Sequence, residues 1–174
     1  MPFKGWHGRG YLPHFDSPER VQHVTFRTEG SLPAGMRLTT PAQVDQVLDH
    51  FDGGRILTGP FGALVEQALL HFDDKRYRLL AWCIMPNHVH VVMEQIDGFS
   101  LGAIVAGWKG HTSRQIAALR GHGGRVWAKD YFDRYMRDER HLADTITYVE
   151  NNPAVAGLVV APADWPFSSA RHRR

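Results

Sequence analysis

The sequence predicts an α+β protein with a ferredoxin-like split βαβ fold, an antiparallel sheet with helices on one face and a C-terminal helix that carries Tyr148. The first observation is the order of the elements, which reads β, α, β-hairpin, α, β, α. The second is an apolar run that ends in Pro86-Asn87, a pair that favours a tight turn between two strands. The third is size, because 174 residues, 43% of them hydrophobic, suit one domain over residues 1–174.

Composition limits the environment and the partners of the chain. The formal net charge is +2 and the pI is about 8.9, so the surface is mildly basic, which permits a polyanionic partner without requiring one. Cys83 is the only cysteine and lies in an apolar stretch, which indicates a buried thiol in a reducing compartment. Because the sequence shows no apolar leader and no apolar run of membrane-spanning length, we expect a cytoplasmic protein.

The first elements are an arm and a strand. Residues 1–20 show no clear period and predict an irregular N-terminal arm. Residues 21–29 alternate between apolar and polar side chains, as a strand with one buried face does. On the polar face lie His23, Thr25 and Arg27, which would suit the phosphate backbone of a nucleic acid.

Three helices are predicted in the first two thirds of the chain. Apolar residues at helical spacing predict helices over 41–50 and 60–73. Ser100 has the character of an N-cap for a third helix, in which apolar residues again recur at helical spacing. Lys109 and Arg114 populate the later turns of this helix. They form either a solvated face or part of a nucleic-acid groove, and the sequence leaves both interpretations open.

The central hairpin carries two histidines. Its strands are predicted over 76–86 and 88–96. Because successive side chains of a strand point to opposite faces, His88 and His90 lie on the same face, close enough to hold one divalent metal. A histidine pair of this kind is more often structural, so the metal hypothesis depends on what lies further along the chain.

A fourth strand is predicted over residues 126–136. Tyr131 and Tyr135 lie among other aromatic residues there, so we interpret them as packing residues. Arg134 and Arg137 would either grip phosphates or pair with neighbouring acidic residues, and exposed pairs of that sort contribute little to stability.

The last helix, capped by an aspartate, is predicted over 139–151 and is followed by a C-terminal tail over 158–174. Its apolar residues recur at i, i+4 and i+7, and Tyr148 lies roughly 100–120° away from that stripe. Asn152 follows on the same flank, one turn after the tyrosine. Pro153 disfavours helical dihedral angles at the preceding residue and therefore predicts that the helix ends at Asn152, with a short second helical turn over 153–157.

The histidine pair, the tyrosine and the asparagine together suit phosphodiester cleavage by a tyrosine. A metal held by two neutral imidazoles and an oxygen ligand would polarise the scissile phosphate. The phenol, whose ordinary pKa is about 10, would attack with the help of that electrophilic centre. A covalent phosphotyrosine conserves the bond energy, so the reaction would be a transesterification.

The stretches Trp-Cys-Ile-Met-Pro-Asn-His-Val-His-Val-Val at 82–92 and Tyr-Val-Glu-Asn-Asn-Pro at 148–153 resemble the HUH-type single-tyrosine transposases, specifically the branch of REP-associated tyrosine transposases. The resemblance implies that His88 and His90 are metal ligands for Mg²⁺ or Mn²⁺ and that Asn152 is a third ligand. It also implies that Tyr148 is the nucleophile and forms a 5′-phosphotyrosine on single-stranded DNA. The implied partners are hairpin-forming repetitive extragenic elements.

Further expectations complete this hypothesis. The candidate DNA contacts are His23, Arg27, Lys109, Arg114, Arg134 and Arg137. The active protein is either a monomer or a homodimer. Two other functions stay open: a module that binds a DNA or RNA hairpin without cutting it, and a small metal hydrolase, which would need three good ligands.

Overall fold

A four-stranded antiparallel sheet organises the structure, a computed structural model that describes residues 5–9, 12–16, 20–37 and 40–173. The strands lie in the order β4-β5-β3-β6. Their bounds are β3 Val21–Thr28, β4 Tyr77–Ile84, β5 His88–Gln95 and β6 Trp127–Tyr135. This order is that of a ferredoxin-like split βαβ unit, so the predicted α+β fold is confirmed.

Four helices accompany the sheet: α1 Pro41–His50, α2 Pro60–His71, α3 Leu101–Arg120 and α4 Glu139–Val155. The side chain of Ser100 accepts a hydrogen bond from the backbone N–H of Ala103 (3.3 Å), as the sequence predicted for the start of α3. Asp138 caps α4 in the same way, accepting from the N–H of His141 at 2.7 Å. Helix α3 ends at Gly121, whose φ of 72° is left-handed and therefore favours glycine.

The two faces of the sheet are covered by different helices. On one face Val24, Phe26 and Val91 pack with residues of α2 and α3, among them Trp108, in the larger of two hydrophobic clusters. On the other face the smaller cluster joins the strands β4 and β5 to Val149 of α4. Helices α2 and α3 therefore occupy one face, as expected, and α4 lies beside the histidine-bearing face.

Two sequence predictions about local structure are wrong. The N-terminal arm is not irregular throughout, because its described residues form an antiparallel strand pair, β1 Gly5–Arg9 and β2 Leu12–Asp16. Helix α4 does not end at Asn152 but continues through Pro153 to Val155. A proline this near the C-terminus removes only its own N–H, and the N–H of Ala156 still bonds to the carbonyl of Asn152 at 2.9 Å.

Both edge strands are engaged by other parts of the chain. At β4 the N–H of Ile84 donates to the carbonyl of Phe167 at 2.9 Å, and Cys83 forms a bridge with Ser168. At β6 the pairing with β3 shifts register, and the ammonium of Lys109 donates to the carbonyls of Ala128, Lys129 and Asp130 at 3.0–3.4 Å. These contacts fix the C-terminal segment and α3 to the sheet.

No helix within the described ranges combines the length and the apolar character that a membrane span requires.

A buried hydrogen-bond chain joins β4 to α2 and α3. The Tyr77 hydroxyl donates to the carbonyl of Leu69 at 2.7 Å and accepts from Nε1 of Trp108 at 2.8 Å. Replacing Tyr77 by Phe leaves both partners unpaired, so we expect a loss of about 1–3 kcal/mol in the free energy of unfolding. Urea denaturation measures this loss. The control Thr147→Val removes an exposed hydroxyl and is expected to change stability by less than about 0.5 kcal/mol.

Candidate active site

The two histidines of the hairpin form the centre of the site. His88 and His90 are fully buried and project from the same face of β5, a strand with neighbours on both sides. Their Nε2 atoms lie 3.1 Å apart. The sequence prediction that the two imidazoles stand side by side on a rigid surface is therefore correct in geometry.

The protonation of His88 is set by Asn87. The amide nitrogen of Asn87 donates to the carbonyls of Leu48 (2.9 Å) and Phe51 (3.1 Å), which leaves its oxygen as an acceptor. That oxygen lies 2.8 Å from Nδ1 of His88, so Nδ1 carries the hydrogen. Nε2 of the neutral ring consequently presents a lone pair to His90. A hydrogen bond of this kind is how proteins orient metal-binding histidines.

Two side chains of strand β3 form hydrogen bonds with His90. Its Nδ1 lies 3.1 Å from the hydroxyl of Thr25 and 3.0 Å from Nε2 of His23. The predicted polar face of this strand therefore lies against the histidine pair. His23, predicted as a DNA contact, is a direct neighbour of His90 and lines the cleft described below.

Two carboxylates from α1 complete the cluster, and the sequence analysis missed both. Oδ1 of Asp49 lies 3.7 Å from Nε2 of His88, and Oδ1 of Asp45 lies 3.9 Å from Nε2 of His90. Both oxygens are buried without a hydrogen-bond partner. The available signal was their i, i+4 spacing, which puts both side chains on one side of a helix, but the same spacing is common on solvated helices.

Tyr148 lies at the edge of this cluster on α4. Its side chain is 42% exposed, and its hydroxyl donates to Oδ2 of Asp45 at 2.6 Å. Its ring centroid lies 5.7 Å from that of His90. Asn152, one turn later, is buried and its Oδ1 has no hydrogen-bond partner. The tyrosine is therefore accessible from solvent and adjacent to the histidines, as its position off the apolar stripe predicted.

Burial dominates the protonation of the cluster. It lowers the pKa of His90 to about 3, lowers the pKa of His88 well below its usual value, and acts with the neighbouring His90 to lower that of His23 to about 3. All three imidazoles are therefore neutral at physiological pH. Burial, followed by the charge of Asp45, raises the pKa of Asp49 to about 6. His50 and Arg55 only partly offset this rise, so the carboxylates lie beside neutral imidazoles with incomplete charge compensation.

The pKa values of the tyrosine and its partner also rise. Burial is the main cause for Asp45, and its hydrogen bond from Tyr148 opposes the rise. For Tyr148, burial and the adjacent Asp45 carboxylate raise the pKa of the phenol, whereas the Asn152 amide acts in the opposite direction. In the protein alone the phenol is therefore fully protonated at neutral pH, and its attack on phosphorus needs a nearby electrophile.

The donor set fits a divalent cation. In the ranges that the structure describes, no three His, Cys, Asp or Glu side chains lie close enough together to hold a metal ion without movement. However, the 3.1 Å between the imidazole nitrogens is close to the spacing of about 3.0 Å between adjacent octahedral ligands at about 2.1 Å. A shift of less than about 1 Å would bring each carboxylate to the same spacing. His88 and His90 could therefore hold the metal.

A cleft of about 510 Å³ opens onto the cluster, lined among others by His23, Asp45, Asp49, Arg134 and Tyr148. Arg134 is exposed and pairs in register with His23, so this predicted DNA contact lies at the site. The cleft is open at the surface, and a flexible polyanion therefore has access to the tyrosine.

The other predicted DNA contacts lie elsewhere. Arg27 is half-buried beside His88 in the register of β3 and β5, and donates to Ser31 at 3.4 Å. Arg137 follows β6 outside the cleft. Arg114 lines a groove between α2 and α3 on the opposite face of the sheet.

Lys109 has a role that differs from the predicted DNA contact. Its ammonium is engaged by three carbonyls of β6, and burial lowers its pKa to about 8. It therefore acts as a structural tie between α3 and the sheet.

Comparisons with known proteins identify the family of the chain. Residues 63–152 match the family described as "Transposase IS200 like". A "Putative REP-associated tyrosine transposase" of Haemophilus influenzae is 26% identical over 119 residues, which are 63% of this chain and 66% of the relative. A "REP-associated tyrosine transposase" of Escherichia coli is 25% identical over 118 residues, 66% of this chain and 67% of the relative. The chain therefore spans about two thirds of the length of these curated relatives.

A solved structure shares the fold. It is described as "Structure of the REP associates tyrosine transposase bound to a REP hairpin", and it superposes with a TM-score of 0.65 at 16% identity, over 95% of this chain and 83% of that chain. The family match covers 90 of the 174 residues and includes His88, His90, Tyr148 and Asn152. The chain therefore belongs to the IS200-like transposase family.

Proposed function

We propose that the protein is a metal-dependent single-stranded DNA endonuclease and strand transferase that forms a covalent 5′-phosphotyrosine at Tyr148. The observation that carries the proposal is the solvent-accessible Tyr148 hydroxyl, held 2.6 Å from the Asp45 carboxylate beside two neutral, buried histidines. Family membership supports the same reaction class. The proposed substrates are hairpin-forming repeats, because similar proteins are named REP-associated transposases and one of them was solved with a REP hairpin.

The chain's own groups account for the bonds that form and break. The Tyr148 oxygen attacks the scissile phosphorus and its proton passes to Oδ2 of Asp45, which already accepts its hydrogen bond. The bond from phosphorus to the 3′ oxygen breaks, and that oxygen leaves as a 3′-hydroxyl after taking a proton. In the return step a 3′-hydroxyl attacks the phosphotyrosine, which restores the phenol and a phosphodiester. No water is consumed.

His88 and His90 would hold a divalent cation, Mg²⁺ or Mn²⁺, through their Nε2 lone pairs. When bound, the cation would polarise the phosphate as a Lewis acid and stabilise the charge that develops on it. Asn87 and Thr25 orient the two rings through Nδ1. Asn152 remains a predicted third ligand.

Replacing Tyr148 by Phe should abolish the covalent adduct and leave hairpin binding nearly intact, because only the nucleophilic oxygen is removed. The measurement incubates purified protein with single-stranded hairpin oligonucleotides from repeats that flank its gene, with Mg²⁺ or Mn²⁺, and separates the products on a denaturing gel. Tyr135→Phe is the matched control on β6 and should retain the adduct. Turnover by Tyr148→Phe equal to that of the parent protein would contradict the assignment of Tyr148 as the nucleophile.

Replacing His88 or His90 by Ala should remove metal-dependent cleavage, because each variant removes one of the two nitrogen ligands of the proposed metal site. Partial recovery at raised Mn²⁺ would indicate weakened coordination. Cleavage is measured as a function of metal concentration with a labelled hairpin. If both variants keep the metal dependence of the parent protein, the metal is bound elsewhere.

Arg134 is proposed as a phosphate contact in the cleft. Replacing it by Ala should weaken single-strand binding for all sequences alike and reduce the slope of log affinity against log salt by about 0.7. Binding isotherms at several salt concentrations measure the slope. Arg78→Ala is the control, because Arg78 is already paired with Glu94 at 3.0 Å. An unchanged slope for Arg134→Ala would exclude the contact.

The same experiments separate this proposal from a hairpin-binding module. Such a module would bind the oligonucleotide tightly but give neither an adduct nor a cut, with or without metal. The Tyr148 hydroxyl would then have no chemical role.

A further inference from the structure

Two carboxylates of α1 are buried, whereas the acidic side chains of an amphipathic helix usually face solvent. Asp45 and Asp49 are i, i+4 neighbours whose side chains are only 8% and 9% exposed. They face the histidine pair, while Val44 and Leu48 of the same helix are also fully buried. Helix α1 therefore buries two acidic groups in addition to its apolar residues.

Both carboxylates have unused acceptor capacity. Oδ1 of Asp45 and Oδ1 of Asp49 are buried without a hydrogen-bond donor. Among the described residues, no lysine or arginine donates to either group. Leaving a buried carboxylate unpaired is costly, and two adjacent ones repel each other. The position calls for a positively charged partner.

The histidines present the complementary half of such a site. Asn87 fixes the lone pair of His88 Nε2 toward the cluster, and His90 Nε2 lies 3.1 Å from it. The two Nε2 atoms of β5 lie 3.1 Å apart. Each of them lies 3.7–3.9 Å from one carboxylate oxygen of α1. Mixed nitrogen and oxygen ligands suit Mn²⁺, and carboxylates suit Mg²⁺.

Asp45 also contacts the nucleophile. Its Oδ2 accepts the hydrogen bond of Tyr148, and its Oδ1 faces His90. One carboxylate therefore joins the tyrosine to the histidine pair. Such an arrangement fixes the distance between the attacking oxygen and the electrophilic centre.

We infer that helix α1 supplies the carboxylate half of the metal site, with Asp49 as a metal ligand and Asp45 as a ligand that also positions Tyr148. This inference rests on the proposed function only in requiring a divalent cation at His88 and His90. Neither carboxylate lies in the segment that matches the transposase family, residues 63–152. The contribution of α1 comes from the structure of this chain.

The test measures metal binding directly, without DNA. Mn²⁺ is titrated into the full-length protein, and free Mn²⁺ is followed by electron paramagnetic resonance, for the parent protein and for Asp49→Asn, Asp45→Asn, Asn152→Ala and His88→Ala. The matched control is Asp52→Asn, because the Asp52 carboxylate follows α1 and is 96% exposed. Asparagine keeps the shape of aspartate, and circular dichroism verifies that each variant is folded.

We expect Asp49→Asn and Asp45→Asn each to weaken Mn²⁺ binding by at least tenfold, the lower end of the roughly 10–100-fold loss seen when a group that merely orients a ligand is removed. The rise in melting temperature that saturating Mn²⁺ causes in the parent protein should shrink in the same variants. Asp52→Asn should match the parent protein in both measurements. Asp45→Asn should in addition lower the rate of adduct formation at saturating Mn²⁺.

Two patterns of Mn²⁺ affinity among the variants overturn the inference. One is unchanged Mn²⁺ affinity in both Asp variants while His88→Ala loses it. The other is loss of affinity in Asn152→Ala alone, which would make the amide the third ligand. Failure of the proposed function looks different: Mn²⁺ binds and depends on α1, yet no adduct forms with any hairpin. Conversely, an adduct that forms without a divalent cation, in a protein that binds no Mn²⁺, overturns the inference and keeps Tyr148 as nucleophile.

Discussion

The hydrogen bonds of Asn87 are the interaction on which the arrangement of the site depends. This buried side chain donates to the carbonyls at the C-terminal end of α1 and accepts from His88. It therefore attaches a helix to the turn of the central hairpin and fixes the orientation of the first histidine in a single step. Together with the hydrogen bond from Tyr148 to Asp45, this attachment fixes the carboxylates of α1 beside the imidazoles.

The site combines a basic protein with an acidic centre. The chain has a formal net charge of +2, whereas Asp45 and Asp49 line the cleft beside His23, whose lowered pKa of about 3 keeps its imidazole neutral. A nucleic-acid phosphate would be repelled by these carboxylates if nothing neutralised them. Cation binding and substrate binding are therefore expected to support each other, since each supplies charge that the other lacks. Such coupling would account for two buried acids in a site that is proposed to bind a polyanion.

The sequence predicted features that depend on neighbouring residues of one strand or helix. It did not predict contacts between segments that are distant along the chain. The spacing of His88 and His90 on a strand, and of Tyr148 on a helix, sufficed to predict the side of each element on which these residues lie. Asp45 lies more than forty residues before His90, and their proximity depends on how α1 packs. The error at Pro153 has another origin, because the local preference of the residue before proline was outweighed by hydrogen bonds of the last helical turn.

The contacts at the two sheet edges affect how two copies of the chain could associate. The outer side of β4 is partly occupied by Phe167 and Ser168, and the irregular part of β6 has its carbonyls taken by Lys109. Exposed edges are where strands of separate molecules add to one another and aggregate. Because these contacts occupy part of each edge, sheet extension between molecules is disfavoured at those positions. Lys109, a side chain of a helix on one face of the sheet, thus also limits the growth of that sheet at its β6 edge.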